Sequence, residues 1–231
     1  MHFAYGLTAV ACLVGTALGQ TKVKFMPLGD SITEITCWRA TVWDNLVSAG
    51  LASRTDFVGS STTNTQNCQA RNSNWNKRHE GHSGYQAVDI VRNNLPGWLN
   101  QNVPDVVNFM LGTNDVNLGN RQTSEILSAY TGIVQQLRAK NPRVKIMVDT
   151  VLPLPFKQAP ITALNNAIPG WAAQQNTTQS PVVVVDVAAR YPTSALRDQV
   201  HPNAAGDAII AGKISPVLTR LINDVIAEKG L

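Results

Sequence analysis

The sequence predicts a three-layer α/β/α sandwich, in which a five-stranded parallel sheet lies between two layers of helices. Short strand-like apolar segments alternate along the chain with segments of helical spacing. The segment 181–186 contains four consecutive valines, which is typical of a strand buried on both faces of a parallel sheet. Parallel strands joined by helices use right-handed crossovers, and ligands bind beyond their carboxyl ends. We therefore expect functional residues directly after strands.

The predicted elements follow one another in a regular order. Strand-like segments cover residues 22–28, 55–59, 105–111, 145–152 and 181–186. Apolar residues at helical spacing predict helices over residues 39–51, 85–95, 126–137, 161–174 and 210–225. Pro216 lies inside the last helix and is expected to kink or divide it. The polar segment 60–80 has no periodicity, and so long a loop inside a compact domain indicates a functional role.

Length and composition indicate one globular domain. The chain has 231 residues, of which 44% are hydrophobic and 15% are charged. This is enough for one sizeable core but not for two full-sized domains. The net charge of +4 comes from scattered Lys and Arg residues, so nothing indicates a nucleic-acid partner. We expect a monomer with neither a nucleic-acid nor a membrane partner.

The N-terminus has the pattern of a secretory signal peptide. Residues 3–18 are apolar and uncharged, and small residues stand at positions 17 and 19, where a signal peptidase requires them. His2 replaces the usual positive residue, and a buried N-terminal helix is the alternative. We predict a signal peptide over residues 1–19 and a single catalytic domain over residues 20–231. The mature protein is expected to be secreted and extracellular.

Two cysteines remain after this segment is removed. Cys37 and Cys68 form an even pair in a chain predicted to enter an oxidising compartment, which favours a disulfide over two free thiols. The sequence Asn176-Thr177-Thr178 is the only N-glycosylation sequon, and it lies in a polar stretch typical of a surface loop. Asn176 is therefore a candidate glycosylation site.

Three residues form a candidate catalytic triad. Ser31 follows the first strand in Gly-Asp-Ser, although a serine at this place is also common as a turn or helix-capping residue. A serine hydroxyl becomes a strong nucleophile when a histidine oriented by a carboxylate accepts its proton. Asp198 and His201 follow the last strand three residues apart, a spacing that lets the carboxylate contact one ring nitrogen while the other faces Ser31.

A second requirement of acyl transfer is a set of donors for the negative oxygen of the tetrahedral intermediate. Asn114 follows the buried strand 105–111, so that its amide is expected at the same sheet edge as Ser31. Gly81 and Gly84 lie before the helix predicted at 85–95, and either glycine would let a backbone N–H approach a substrate oxygen. These residues also suit ordinary turns and hinges.

Taken together, these stretches resemble the SGNH, or GDSL-type, hydrolases. The resemblance implies that Ser31 is the nucleophile, that Ser31, Gly84 and Asn114 form the oxyanion hole, and that Asp198 and His201 complete the triad. It also implies a flavodoxin-like fold. The sequence spacing between the oxyanion glycine and the oxyanion asparagine in that family favours Gly84 over Gly81. The first motif reads Gly-Asp-Ser-Ile, with Ile32 in the place of leucine.

The stretches 26–34 and 79–84 are most similar to carbohydrate esterase family three. That resemblance implies a serine esterase that removes acetyl groups from a plant cell-wall polysaccharide, acetylxylan above all, through an acyl-enzyme. No metal or organic cofactor is expected for such a triad. His79 and His82 lie close together but lack a third ligand, which argues against a zinc site.

Three residues are candidates for substrate binding. Trp75 offers an aromatic face among hydrogen-bonding side chains of the polar loop, which suits a sugar, although it could equally pin the loop to the body of the protein. Asp30 directly precedes the predicted nucleophile, Ser31. His82 lies between Gly81 and Gly84, the two candidate oxyanion glycines.

Two other functions remain open on the sequence. A lipolytic or thioester-cleaving esterase of the same family would prefer longer acyl chains. A carbohydrate-binding module without catalysis would bind sugar but would not react at Ser31 with a serine-directed organophosphonate.

Overall fold

A computed structural model describes residues 22–72 and 74–231. The predicted signal peptide, residues 1–19, lies outside the described residues.

The sheet is parallel throughout. Five strands lie in the order β2-β1-β4-β5-β6, and the two-residue strand β3 pairs with the end of β1 beyond β2. The strands are β1 Val23–Gly29, β2 Thr55–Phe57, β3 Glu80–Gly81, β4 Val106–Met110, β5 Lys145–Asp149 and β6 Val182–Val185. The predicted α/β class and all five predicted strands are confirmed, and β3 is an addition that the sequence did not indicate.

Helices cover both faces of the sheet. They are α1 Ser31–Glu34, α2 Trp38–Ser48, α3 Ala87–Asp89, α4 Leu95–Gln101, α5 Thr113–Asn117, α6 Thr123–Lys140, α7 Gln158–Gln175 and α8 Ala204–Lys229. A π-helical turn, Ile90–Asn94, joins α3 to α4, so this helical region extends beyond the predicted end. Of the two effects expected of Pro216, division of the last helix does not occur, because α8 runs through it as one element. None of the helices in the described ranges is long and apolar enough to cross a membrane.

Alternate residues of each strand pack into two separate cores. Phe25, Val106 and Met147 face the core under α2 and α8. Their neighbours Met26 and Val107 face the opposite core, which α6 and α7 cover. This alternation follows from the two-residue period of a strand. It explains why the central strands are apolar at nearly every position.

The polar loop after β2 is fixed to the body of the protein. The predicted disulfide is present: Cys37, before α2, is bonded to Cys68 in the loop, and their Cα atoms are 5.3 Å apart. The buried guanidinium of Arg39 adds hydrogen bonds to the loop carbonyls of Thr63 and Lys77. The loop is therefore an ordered wall beside the carboxyl end of β1.

Candidate active site

The carboxyl ends of the strands bring the candidate residues together. Ser31 begins α1 two residues after β1, and Gly84 follows β3, which pairs with the end of β1. Asn114 lies in α5 after β4, the other neighbour of β1. Asp198 and His201 lie in the loop between β6 and α8. The site is therefore built at the sheet edge where the sequence predicted it.

The Ser31 hydroxyl is hydrogen-bonded to a histidine. Ser31 Oγ lies 2.9 Å from His201 Nε2. His201 Nδ1 lies 3.0 and 2.9 Å from the two carboxylate oxygens of Asp198. This continuous chain can move a proton from the hydroxyl to the imidazole while the carboxylate stabilises the resulting positive charge.

Asp198 is held as an anion although it is exposed. Its side chain is 48% exposed. Desolvation by itself would raise its pKa. The backbone N–H groups of His201 and Val200, 2.8 and 3.2 Å away, and the His201 ring act in the opposite direction and lower the pKa of Asp198 to about 2. Hydrogen bonds, rather than burial, therefore orient this carboxylate.

Gly84 presents a backbone donor beside Ser31. Its φ of +82° is the left-handed conformation that glycine adopts readily, and a side chain there would meet open space. Within the described ranges, no acceptor is hydrogen-bonded to the N–H of Gly84 or of Ser31. The alternative, Gly81, donates its N–H to His79 Nδ1 at 3.0 Å. The geometry therefore favours Gly84 as an oxyanion donor.

Asn114 is aimed by a glycine turn. Gly112 has a φ of +107°, and a Cβ there would lie 2.7 Å from a methyl carbon of Leu164. This turn leads directly from β4 into α5. Asn114 Nδ2 donates to the carbonyl of Tyr85 at 3.0 Å, and Asp30 Oδ2 lies at the outer limit of 3.5 Å. A substrate oxygen would therefore take the place of the long contact with Asp30 Oδ2 as acceptor of the second amide hydrogen.

Two carboxylates that the sequence did not single out brace the oxyanion turn, residues 82–85. Glu34 accepts from the Ser83 N–H and hydroxyl at 2.6 and 2.5 Å. The buried Glu80 accepts from the Ser60 hydroxyl at 2.5 Å and lies 2.7 Å from His82 Nε2. Glu34 is the last residue of α1, the helix that Ser31 begins, so it links the nucleophile to the turn that bears Gly84.

Asp30 does not face the cleft, which corrects its prediction as a substrate-binding residue. It is fully buried and its Oδ1 caps α1 by accepting from the Ile32 N–H at 2.9 Å. Burial raises the pKa of Asp30 to about 7, and the nearby charge of Asp115 acts in the same direction. Its role is to fix the start of the helix that carries Ser31.

Trp75 pins the loop and is not available to a sugar. It is only 8% exposed and packs in the core together with Cys68. The charged ends of Arg39 and Lys77 lie 5.7 and 5.9 Å from its ring centre. Of the two predicted roles of Trp75, the geometry favours the structural one.

The two histidines of this region are engaged by the protein. Burial, with the nearby Arg39 charge, lowers the pKa of His79 to about 3. Its neutral ring accepts from the Gly81 N–H at Nδ1 and donates from Nε2 to the carbonyl of Thr63. His82 binds Glu80 and retains 22% side-chain exposure. Over residues 22–72 and 74–231, no three His, Cys, Asp or Glu side chains form a group suited to a metal ion.

Asn176 lies on the surface directly after α7. Its Oδ1 accepts from the N–H of Val182 at 3.0 Å. The side-chain nitrogen to which a glycan is attached is not part of that bond. Glycosylation of Asn176 stays a prediction.

Comparison with known proteins identifies the family. The chain matches the GDSL-like lipase/acylhydrolase family over residues 28–209. Comparison with curated protein sequences gave no significant match.

Three solved structures are similar over nearly their whole length. A mutant acetyl esterase crystallised with an acetate ion is 53% identical, with a TM-score of 0.85, and the match covers 88% of this chain and 99% of that chain. A carbohydrate esterase family 3 protein from Talaromyces cellulolyticus is also 53% identical, with a TM-score of 0.85 and coverage of 87% and 99%. A family 3 carbohydrate esterase from Clostridium thermocellum is 27% identical, with a TM-score of 0.74 and coverage of 89% and 99%. The chain therefore belongs to the GDSL-like lipase/acylhydrolase family and is a carboxylic ester hydrolase close to the carbohydrate esterase family 3 acetyl esterases.

Proposed function

We propose that this protein is a secreted esterase that removes acetyl groups from a plant cell-wall polysaccharide, with acetylxylan as the preferred substrate. The observation that carries the proposal is the hydrogen-bonded chain Ser31, His201 and Asp198. Beside it are the backbone N–H groups of Ser31 and Gly84, which donate to no acceptor among residues 22–72 and 74–231. The acetyl group is favoured because a 53% identical structure is an acetyl esterase with an acetate ion. Xylan is the substrate that the resemblance to carbohydrate esterase family three implies.

In the first half of the reaction, Ser31 Oγ attacks the carbonyl carbon of the acetyl ester while His201 Nε2 takes the hydroxyl proton. The carbonyl oxygen becomes negative and accepts from the N–H groups of Ser31 and Gly84 and from the amide of Asn114. The bond to the sugar oxygen then breaks, and His201 gives its proton to that oxygen. The products are the free sugar hydroxyl and acetyl-Ser31.

In the second half, water attacks acetyl-Ser31 and His201 Nε2 accepts one of its protons. The tetrahedral intermediate is again held by the same three donors. Collapse returns the proton to Ser31 Oγ and releases acetic acid, which ionises to acetate. Asp198, with its low pKa, remains ionised and stabilises the protonated His201 in both halves.

Acetate release from acetylxylan tests the proposal, with other acetylated glycans and longer-chain acyl esters as competitors. We expect acetylxylan to give the highest kcat/KM, and Ser31→Ala to abolish release while circular dichroism and melting temperature stay unchanged. A preference for long acyl chains would overturn the acetyl assignment, and near-normal turnover by folded Ser31→Ala would overturn the mechanism. Recovery of the protein from culture medium with an N-terminus near Gln20 tests secretion.

Asn114→Ala tests the proposed oxyanion hole. Loss of one such donor typically lowers kcat by about a hundred- to a thousand-fold, because the bond is strongest in the transition state. We expect a fall of that size with little change in KM. A fall of less than about tenfold would assign Asn114 to the structure of the turn alone.

A further inference from the structure

An exposed aromatic side chain lies directly beside the oxyanion turn. In the part of the chain that the structure describes, the exposed large apolar side chains are Tyr85, Leu118 and Phe156. Tyr85 follows Gly84 in sequence and is 38% exposed. Its carbonyl accepts from the Asn114 amide. Tyr85 therefore connects two of the proposed oxyanion donors, the Gly84 N–H and the Asn114 amide.

Two further aromatic rings support Tyr85 from behind. The His82 ring centre lies 5.1 Å from that of Tyr85 and 4.5 Å from that of Trp98, with interplanar angles of 28° and 13°. The rings of Tyr85 and Trp98 are 6.3 Å apart and within 21° of parallel. His82 is in turn held by the buried Glu80. The orientation of Tyr85 is thus set before a substrate arrives.

We propose that the exposed face of Tyr85 stacks on the sugar ring that carries the acetyl group, and so selects sugar esters over other acetyl esters. This inference rests on the proposed function, because it assigns to Tyr85 the contact with the sugar ring of the acetylated substrate. In this proposal the acetyl carbonyl accepts from the Gly84 N–H, and the sugar on the alcohol side of the ester lies against the next residue, Tyr85. An aromatic ring offers a rigid apolar face for the C–H groups of a pyranose.

The surroundings of Tyr85 suit a sugar better than an acyl chain. Gln86 follows Tyr85 in sequence and carries an amide side chain, and its oxygen lies 3.5 Å from Arg121 Nε. A sugar ring placed on Tyr85 would find hydrogen-bonding groups at its edge. A sugar ring can use both the face of Tyr85 and these polar groups, whereas a long acyl chain can use only the apolar face.

The test compares two acetyl esters that share the reacting group. Acetylated xylo-oligosaccharide presents a sugar ring, and ethyl acetate presents none. We expect Tyr85→Ala to lower the ratio of kcat/KM for the sugar ester to that for ethyl acetate by about tenfold, the upper range of one aromatic contact. The loss should lie mainly in KM. Tyr85→Phe keeps the ring face and is expected to restore the ratio.

The control is Phe156→Ala, which removes another exposed aromatic ring, located after β5; its ratio should equal that of the wild type. If Tyr85→Ala lowers both activities equally, Tyr85 only supports the oxyanion turn and the inference is overturned. An unchanged ratio overturns it as well. If the wild type hydrolyses ethyl acetate but no acetylated sugar, it is the proposed function that fails.

Discussion

At the scale of single residues, the first prediction concerns Asp198, the residue proposed to orient His201. Asp198→Asn would retain an oxygen for the N–H groups of Val200 and His201, but its amide would face His201 Nδ1 and favour the wrong tautomer. We expect kcat to fall by up to about ten thousand-fold, as in the equivalent change in a serine protease. The measurement is acetate release across neutral pH.

Arg197→Ala is the matched control for Asp198→Asn. Arg197 Nε lies 3.3 Å from Asp198 Oδ2, but both side chains are largely exposed, so this ion pair contributes little. We expect less than about a twofold change in kcat. If Asp198→Asn kept more than about a tenth of wild-type turnover, Ser31 and His201 would act as a dyad.

Asp30 makes stability depend on pH in a direction opposite to that of a paired surface carboxylate. Burial raises its pKa from 3.8 to about 7 in the folded protein, so the folded state holds the proton more tightly than the unfolded state. Its contribution is therefore most favourable at low pH and is lost as pH rises from about 4 to about 7. The loss is on the order of a few kcal/mol in the free energy of unfolding.

Asp30→Asn tests this contribution, because asparagine keeps an oxygen that can cap α1 but has no charge to bury. Urea unfolding at pH 5 and pH 8 should show a smaller loss of stability with pH in the variant than in the wild type. Because both proteins contain the other buried acids, the contributions of those acids to the pH dependence cancel in the comparison. Equal pH dependence in the two proteins would show that Asp30 is not the group responsible.

At the scale of elements, the Glu34 to Ser83 contact couples α1 to the oxyanion turn. Its two hydrogen bonds to one carboxylate oxygen fix the turn relative to Ser31. We expect Glu34→Ala and Ser83→Ala each to lower kcat by about tenfold with KM unchanged, because the misplaced donor acts mainly in the transition state. The double variant should be no worse than the more damaging single variant.

Glu34→Gln keeps two acceptor lone pairs and should recover part of the loss. Because this contact is exposed, we expect melting temperatures within about 2 °C of the wild type. Additive losses in kcat would show that the two residues act separately, and a large fall in melting temperature would assign the contact to stability instead.

The strands and helices were predictable where a local pattern is long enough to be read. The valine run gave β6, and the stripe through Ile126 and Leu137 gave α6. Strand β3 was missed because two residues, Glu80 and Gly81, cannot show a period. Pro216 does not end α8, because apolar residues on either side of it, such as Ile214 and Leu218, stay packed in the core and offset the loss of one backbone hydrogen bond.

The candidate site divides in the same way. Ser31, Asn114 and His201 were predicted to lie beyond strand ends from short motifs, and the structure places them there. The stack of Tyr85 on His82 and Trp98, and the contact of Glu34 with Ser83, join residues whose proximity depends on the folded chain. The burial of Trp75 depends on Arg39 and Cys68 in the same way. No local spacing encodes such contacts.

At the scale of the whole molecule, the disulfide between Cys37 and Cys68 stabilises the fold by limiting the unfolded chain. The bond closes a loop with a sequence separation of 31. In the chain-entropy description, such a loop contributes about 3–4 kcal/mol. We expect Cys37→Ala/Cys68→Ala to melt roughly 10 °C lower, by the usual scaling for a domain of this size. Calorimetry measures the difference.

Reduced and alkylated wild-type protein provides an independent comparison for that double variant. Its melting temperature should fall by a similar amount. A double variant that melts within about 2 °C of the oxidised wild type would show that packing around the loop, rather than the covalent bond, supplies the stability.

Strand β6 also bears on how the protein behaves when it is concentrated. It is the last strand of the sheet and consists of four valines, so its outer backbone groups form an edge on which a second molecule could add a strand. Asn176 stands beside this edge, bonded to the N–H of Val182. A glycan at Asn176 would sterically hinder the addition of a strand to this edge. Protein made in a host without N-glycosylation would lack that hindrance and would aggregate more readily at high concentration.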